Sequence, residues 1–215
     1  MKTLVIALSL AASLAASPSF AQAVSGFGGF KPLPEAGEQP DPSRIYRVIF
    51  DVSQGGADDR PLKGLDRVAR LVNMLAAGGV DADHRQIVVV LHGAATPAVL
   101  SDAAWTARGK GDANPNSALI RALIAAGVQV RLCGQAMAGN GIAQADLEAG
   151  VSVDLAALMT VIHLQQAGYA LAQQRWGSQP TVKSPADRRR WPSAGCVSPG
   201  DAGPASRPRP VRPSL

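Results

Sequence analysis

The sequence predicts an α/β protein with a doubly wound, mostly parallel five-stranded sheet. Short apolar runs without polar–apolar alternation indicate strands that are buried on both faces. Segments with apolar residues at helical spacing stand between these runs, and glycines follow most of them. This alternation of strands and helices is typical of a parallel sheet with helices on both sides.

The elements follow in order along the chain. Strands are predicted over residues 45–52, 86–91 and 128–132, with a fourth over 151–153 and the start of a fifth over 169–171. Helices are predicted over residues 61–78, 114–126 and 155–167, with shorter helical stretches over 97–107 and 135–138. Pro61 and Pro115 suit the first turns of their helices, and Asn114 is a candidate cap. We interpret the whole as a flavodoxin-like sheet.

Residues 1–23 have the pattern of a secretory signal peptide. Lys2 supplies a positive start, an apolar run covers residues 4–16, and Ala21 and Ala23 provide the small residues of a cleavage site. The apolar run is shorter than a membrane-spanning helix requires. We therefore expect cleavage after Ala23 and a periplasmic protein without stable membrane insertion. An uncleaved N-terminal anchor is the alternative.

The folded domain is predicted over residues 45–171, between two segments of different composition. Residues 24–44 are rich in glycine and proline and form an arm or linker. Residues 172–215 form a disordered tail with eight basic and two acidic residues, so the rest of the chain lacks the basic face that nucleic acid requires. The last strand is expected to be cut short. One hypothesis is that the tail comes from a shifted reading frame.

Polar or reactive residues stand at the exits of the first three strands, where ligands bind in open α/β sheets. Asp51 to Ser53 stand at the first exit, His92 and Gly93 stand at the second, and Cys133, Gly134 and Gln135 stand at the third. Cys133 precedes a short helix, whose N–H groups favour a reactive thiolate. A buried, inert cysteine is the alternative. A disulfide between Cys133 and Cys196 also stays open for an exported protein.

The flavodoxin strand order places the first strand between the second and third. His92 and Cys133 would then lie roughly 10 Å apart, too far for a direct pair within one chain. A structural histidine is the alternative for His92. We also place Arg131 on the other face of the sheet from Cys133.

Other classes of site find no support in the sequence. The three histidines are far apart, so no metal site is predicted, and no cofactor is expected. The Gly55-Gly56 loop matches no nucleotide-binding pattern. A nucleophilic serine motif and a C-x-x-C dithiol are absent from the sequence, so a hydrolase or a thioredoxin-like protein is not predicted.

The chain resembles the DsrE/DsrF-like family, in particular its exported, periplasmic members. The resemblance covers residues 45–171 and includes HG after the second strand, CGQ after the third and LQQAGYAL near the end. It implies a compact α/β domain that assembles as a trimer or hexamer. It also implies that Cys133 takes up sulfane sulfur as a persulfide and passes it from a donor to an acceptor protein. His92 would be the second catalytic residue, and Ser53, Gly93, Gly134 and Gln135 would line the binding site.

Three hypotheses follow from the residues and the resemblance. The first is a periplasmic thiol protein that relays sulfane sulfur through Cys133, with at most a sulfurtransferase-like activity. The second is a non-catalytic oligomeric scaffold in which Cys133 is structural. The third is a thiol-redox protein that forms a mixed disulfide with a partner. Reactivity toward polysulfide separates the first from the other two.

Overall fold

A computed structural model describes residues 22–173 of the chain. These residues belong to the first of two units into which the chain divides, Met1–Gln174 and Arg175–Leu215. Residues 174–215 of the predicted tail, with Cys196, lie outside the described residues, as does most of the predicted signal peptide. The predicted start of the tail at residue 172 is wrong, because Ala172 and Gln173 belong to the last strand of the sheet. None of the helices within residues 22–173 is long and apolar enough to cross a membrane.

Five parallel strands form a single sheet. They are β1 (Tyr46–Val52), β2 (Arg85–Leu91), β3 (Gln129–Cys133), β4 (Ser152–Asp154) and β5 (Ala170–Gln173). Their order across the sheet is β4-β3-β2-β1-β5, and every pair of neighbours is parallel. The predicted α/β class with a parallel five-stranded sheet is confirmed.

Five α-helices connect or flank these strands. They are α1 (Lys63–Ala77), α2 (Asp102–Ala107), α3 (Ser117–Ala125), α4 (Gly134–Gly139) and α5 (Ala157–Gln166). Short 3-10 turns cover Ala82–His84, Gly93–Val99 and Gln144–Asp146. All of the predicted helical stretches are therefore present, with ends that differ from the predictions by a few residues.

The sheet is covered on both faces, as the doubly wound prediction requires. On one face, α1 and α3 pack against alternate strand residues such as Phe50, Val89 and Leu132. On the other face, Ile49, Val90 and Cys133 form a smaller cluster with Ala157 of α5. Successive strand residues point to opposite faces, which is why both sets are apolar and the strands show no alternation.

The strand order differs from the flavodoxin order that we expected. Among the first three strands, β2 lies in the middle, between β1 and β3, whereas the flavodoxin order would place β1 in the middle. Residues 87–91 of β2 are almost entirely buried, as a central strand requires. β1 carries Arg47 and Asp51, which suit a strand nearer the edge.

Residues 24–44, the arm, contain turns and bends but no helix or strand. The arm is nevertheless anchored to the domain. Val24 is fully buried, and its N–H donates to Asn73 Oδ1 of α1 at 2.8 Å. The N–H of Gly28 donates to Asp66 of the same helix, also at 2.8 Å. The first part of the arm is thus packed on α1 and is not a free linker.

Candidate functional site

Three functional side chains lie near the carboxyl edge of the sheet. Asp51 lies near the end of β1, His92 follows β2 directly, and Cys133 ends β3. Because strand residues two apart share a face, Asp51 lies on the face of Ile49, and His92 lies on the face of Val90. Cys133 packs against Ile49 and Val90. All three side chains therefore lie on the α5 face of the sheet.

Cys133 is a free thiol and is only 7% exposed. Its neighbours in the apolar cluster are Ile49, Val90 and Ala157. The residue also immediately precedes α4, so the backbone turns away from the sheet there. The thiol thus lies just beneath the edge of the sheet, where the strand gives way to a helix.

His92 makes a short hydrogen bond to Asp51. The distance from His92 Nε2 to Asp51 Oδ1 is 2.6 Å, and the two side chains are 32% and 40% exposed. The backbone of His92 is extended, and its N–H donates to the carbonyl oxygen of Val52 at 3.0 Å. His92 therefore continues β2 by one position, and its ring is oriented by a carboxylate on the neighbouring strand.

His92 and Cys133 occupy adjacent positions on neighbouring strands. Leu91 of β2 pairs with Leu132 of β3, so the residues that follow them, His92 and Cys133, stand beside each other. Neighbouring strands are about 4.8 Å apart. The expected separation of two strand spacings is therefore wrong, because it rested on the flavodoxin strand order. The observed order permits direct contact between the imidazole and the thiol.

The remaining predicted site residues fall into two pairs. Ser53 and Gly93 are exposed and lie together: a Cβ on Gly93 would stand 3.2 Å from the carbonyl oxygen of Ser53. Gly134 and Gln135 open α4 and face β4 and the residue after it. A Cβ on Gly134 would be 2.8 Å from the carbonyl oxygen of Asp154, and Gln135 donates to the carbonyl oxygen of Leu155.

Arg131 lies on the same face as Cys133, not on the other face as predicted. Strand residues two apart share a face, and Arg131 is two residues before Cys133. Its guanidinium donates to Asp154 Oδ2 at 3.2 Å, and the Thr160 hydroxyl donates to the same oxygen at 2.6 Å. The charge of Arg131 is therefore already paired with a carboxylate on β4.

A cleft of about 280 Å³ lies between α5 and the edge formed by β3 and β4. Its walls include the Arg131–Asp154 pair, Thr160 and His163, together with apolar side chains of α5. Cys133 does not line it. Within residues 22–173, no three His, Cys, Asp or Glu side chains come together in a way that could hold a metal ion.

Asp51 is predicted at a strand exit, but the sequence assigns it no role in the site. It stands inside an apolar run. Its position one residue before the final strand residue, on the exit side of the sheet, was the available signal. Only the strand order reveals that its neighbour at this edge is His92.

The fold and these residues define a small, all-parallel α/β protein with a cysteine and a histidine side by side at the carboxyl edge. The model of the DsrE/DsrF-like family matches residues 47–172, which is more than half of the 215-residue chain. The chain belongs to the DsrE/DsrF-like family. Membership of this family suggests a function related to sulfur relay.

Two solved structures are similar to this chain. One is a protein of unknown function, MTH1491, from Methanobacterium thermoautotrophicum, with 20% identity, coverage of 60% of this chain and 98% of that chain, and a TM-score of 0.47. The other is the ychN protein from E. coli, with 16% identity, coverage of 60% and 99%, and a TM-score of 0.45. No curated protein sequence matches the chain.

Proposed function

We propose that this chain is an exported thiol protein that takes up sulfane sulfur on Cys133 as a persulfide and passes it to an acceptor. The position of Cys133 carries the proposal, because the thiol stands at the carboxyl edge of the sheet beside His92. Family membership supports it. A thiolate can attack a sulfur–sulfur bond, and a neighbouring imidazole can accept the thiol proton.

The burial of Cys133 sets a condition on this chemistry. The thiol is only 7% exposed, so a sulfur donor must reach it through the carboxyl edge. Ser53, Gly93 and Gln135 are exposed there, and Gly134 is half-buried. These four residues are proposed to contact the donor. A small or extended donor group suits so buried a thiol better than a bulky one.

A non-catalytic scaffold is the second candidate, and the apolar surroundings of Cys133 favour it. The side chain packs with Ile49, Val90 and Ala157 as a small hydrophobic residue would. In that case the thiol contributes to packing alone. The two candidates differ in one measurable property, the reactivity of Cys133 in the folded protein.

We also propose that the leader is removed after Ala23 and that the protein works in the periplasm. The sequence pattern of residues 1–23 supports this. Val24 would become the first residue, and its nitrogen already lies 2.8 Å from Asn73 Oδ1. A mature chain that begins at Val24 would therefore be attached to α1 from its first residue.

We propose a homo-oligomer, a trimer or hexamer, as the working form. Four large apolar side chains, Leu155, Leu158, Met159 and Ile162, are exposed at and before α5. Ile162 is three residues after Met159 and four after Leu158, so these three side chains lie on one side of the helix, and Leu155 lies two residues before the helix begins. A contiguous apolar stripe of this kind is typical of a surface that another chain covers.

The test is the intact mass of the full-length protein, recovered from the periplasm and treated briefly with polysulfide. The unmodified protein and Cys196→Ser should gain about 32 Da, the mass of one sulfur atom, and Cys133→Ser should not. The same spectrum reports whether the chain begins at Val24.

The opposite result would favour the scaffold. In that case the protein gains no sulfur, and Cys133 reacts with an alkylating reagent only after unfolding. An adduct with another protein in place of sulfur would instead support the mixed-disulfide alternative.

A further inference from the structure

Asp51 has no role in the function proposed above, yet it contacts His92, which does have a role there. Asp51 Oδ1 lies 2.6 Å from His92 Nε2. A surface carboxylate at this distance from an imidazole is a specific contact, because such pairs fix the orientation of the ring. The next question is what the other side of that ring faces.

Cys133, His92 and Asp51 stand in a row across three neighbouring strands. β2 lies between β3 and β1, so the imidazole lies between the thiol and the carboxylate. His92 is at the level of Cys133, and Asp51 is two residues lower, since it pairs with Val90. All three side chains point to the α5 face. The order of the row is thiol, imidazole, carboxylate.

The hydrogen bond to Asp51 also selects the tautomer of His92. A carboxylate accepts, so Nε2 carries the hydrogen and Nδ1 of the neutral ring keeps its lone pair. Within residues 22–173, Nδ1 of His92 makes no hydrogen bond to another residue. Nδ1 is therefore the ring nitrogen that is free to accept a proton.

We propose that Asp51 is a positioning residue that holds His92 with Nδ1 available to take the proton of Cys133. This inference rests on the proposed function and adds a residue to its site. Asp51 orients the ring and stabilises the imidazolium that forms after proton transfer. It acts through His92 and does not contact the sulfur donor.

The transfer step balances without an added oxidant or reductant. His92 Nδ1 takes the thiol proton, and the Cys133 sulfur attacks the outer sulfur of an organic persulfide, R–S–SH. One sulfur–sulfur bond forms as the sulfur–sulfur bond of the donor breaks. The leaving thiolate R–S⁻ takes the proton from His92. The products are a persulfide on Cys133 and the thiol R–SH.

Most other ionisable groups near this face are already paired with a partner. Arg131 and Asp154 are paired at 3.2 Å, and Arg47 at the opposite edge donates to Gln86. Asp58 in the loop after β1 and Lys110 in the loop after α2 are paired at 3.1 Å. The remaining titratable side chains on the elements packed here are those of His163 and Tyr169.

The experiment compares Asp51→Asn, His92→Gln and the double variant in the full-length protein. Two rates are measured across pH: sulfur uptake from glutathione persulfide, and alkylation of Cys133 by iodoacetamide. Each single variant should slow sulfur uptake about 10- to 100-fold at neutral pH. Asp51→Asn should raise the pH midpoint of alkylation by about one unit, because the thiolate–imidazolium pair is less stable. The double variant should be no slower than His92→Gln alone.

Asp59→Asn is the matched control. Asp59 is exposed in the loop after β1, and the hydrogen bond from Arg60 lowers the pKa of Asp59, so this variant removes the same charge. Its rates should equal those of the unmodified protein. Nitrogen NMR provides a second measurement: His92 should carry its hydrogen on Nε2, and Asp51→Asn should abolish that preference.

The outcomes separate this inference from the proposed function. Asp51→Asn with an unchanged rate and pH midpoint would overturn the role of Asp51, as would additive effects of the two substitutions. If the unmodified protein takes up no sulfur, the proposed function fails. The pH profile of Cys133 alkylation then tests the role of Asp51 by itself. A shifted midpoint in Asp51→Asn supports that role, and an unshifted midpoint contradicts it.

Discussion

Asn73 is a buried polar side chain that uses both ends of its amide. Its Oδ1 accepts from the N–H of Val24 at 2.8 Å, and its Nδ2 donates to the carbonyl oxygens of Phe27 at 2.9 Å and Val24 at 3.2 Å. Only 1% of the residue is exposed. Buried polar groups need partners, and the partners of Asn73 come from the arm. One side chain of α1 thus provides hydrogen-bond partners for backbone groups of the arm, which lie in no strand or helix.

Asn73→Leu should therefore destabilise the protein by about 2–4 kcal/mol, since it removes several hydrogen bonds and leaves buried backbone groups without partners. Chemical denaturation measures the change. Asn140→Ala is the control, because Asn140 is exposed and makes one side-chain hydrogen bond, to the carbonyl oxygen of Ala136. That variant should change the free energy of unfolding by no more than about 1 kcal/mol. Equal effects of the two substitutions would show that the arm is not held in this way.

At the scale of single residues, the sequence could indicate roles for Cys133 and His92. It placed Asp51 at a strand exit without a role, and it gave no indication for Asn73. The first two are rare residue types at strand exits, and chemistry alone draws attention to them. Asp51 and Asn73 are common residue types whose importance depends on a partner 41 or 49 positions away. Such pairings follow from strand order and from the packing of the arm, and neither is encoded in local periodicity.

Among the elements, the strands and helices were predictable because each has its own local pattern. Their arrangement was not, because β1, β2 and β3 each contain apolar residues on both faces, and a local pattern does not say which strands pair. The start of α3 also differs from the prediction. Asn114 donates to the carbonyl oxygens of Ala98 and Leu100, so its side chain links two loops, and the helix begins only at Ser117.

The arm is the element that the sequence described least well. Its glycines and prolines rule out regular structure, yet they also permit close packing. Gly28 shows why: it has a φ of +62°, and a Cβ there would lie 2.3 Å from backbone atoms of Ala69 and Arg70. The arm therefore approaches α1 as closely as a backbone can, and glycine is the residue that allows it.

Gly28→Ala should lower the free energy of unfolding by about 3 kcal/mol or more, because the new methyl group meets the backbone of α1. Gly26→Ala is a matched control. Gly26 also has a positive φ, +81°, but nothing lies within 4 Å of its Cβ position, so only the conformational cost of about 1–2 kcal/mol applies. Thermal or chemical denaturation of both variants gives the comparison. If both variants lose the same stability, the arm does not pack on α1 in solution.

For the whole molecule, the apolar stripe on α5 has the largest consequence. Leu155 and Leu158 are 73% and 69% exposed, whereas most large apolar side chains of the described residues are buried. The stripe lies on the helix that covers Cys133, and it borders the cleft lined by Arg131 and His163. Association through this stripe would also enclose that cleft.

Leu158→Glu should therefore convert a trimer or hexamer into monomers. The substitution places a charge in the proposed interface and removes an apolar contact of about 1.5–3 kcal/mol in each subunit. Light scattering after size-exclusion chromatography measures the mass. Leu33→Glu is the control, because Leu33 is 66% exposed but lies in the arm, and this variant should keep the original mass. A monomeric unmodified protein would contradict the proposal.

The pairing of β1 with β5 also has a kinetic consequence. Val48 and Ala170 are register partners, about 120 positions apart along the chain. Contacts this distant form late, because a long loop must close first. Until β5 pairs with it, β1 has only β2 as a partner, and its other side is an open edge that can pair with a second incompletely folded chain. The edge of β1 is therefore protected from aggregation only after β5, the final strand, has paired with it.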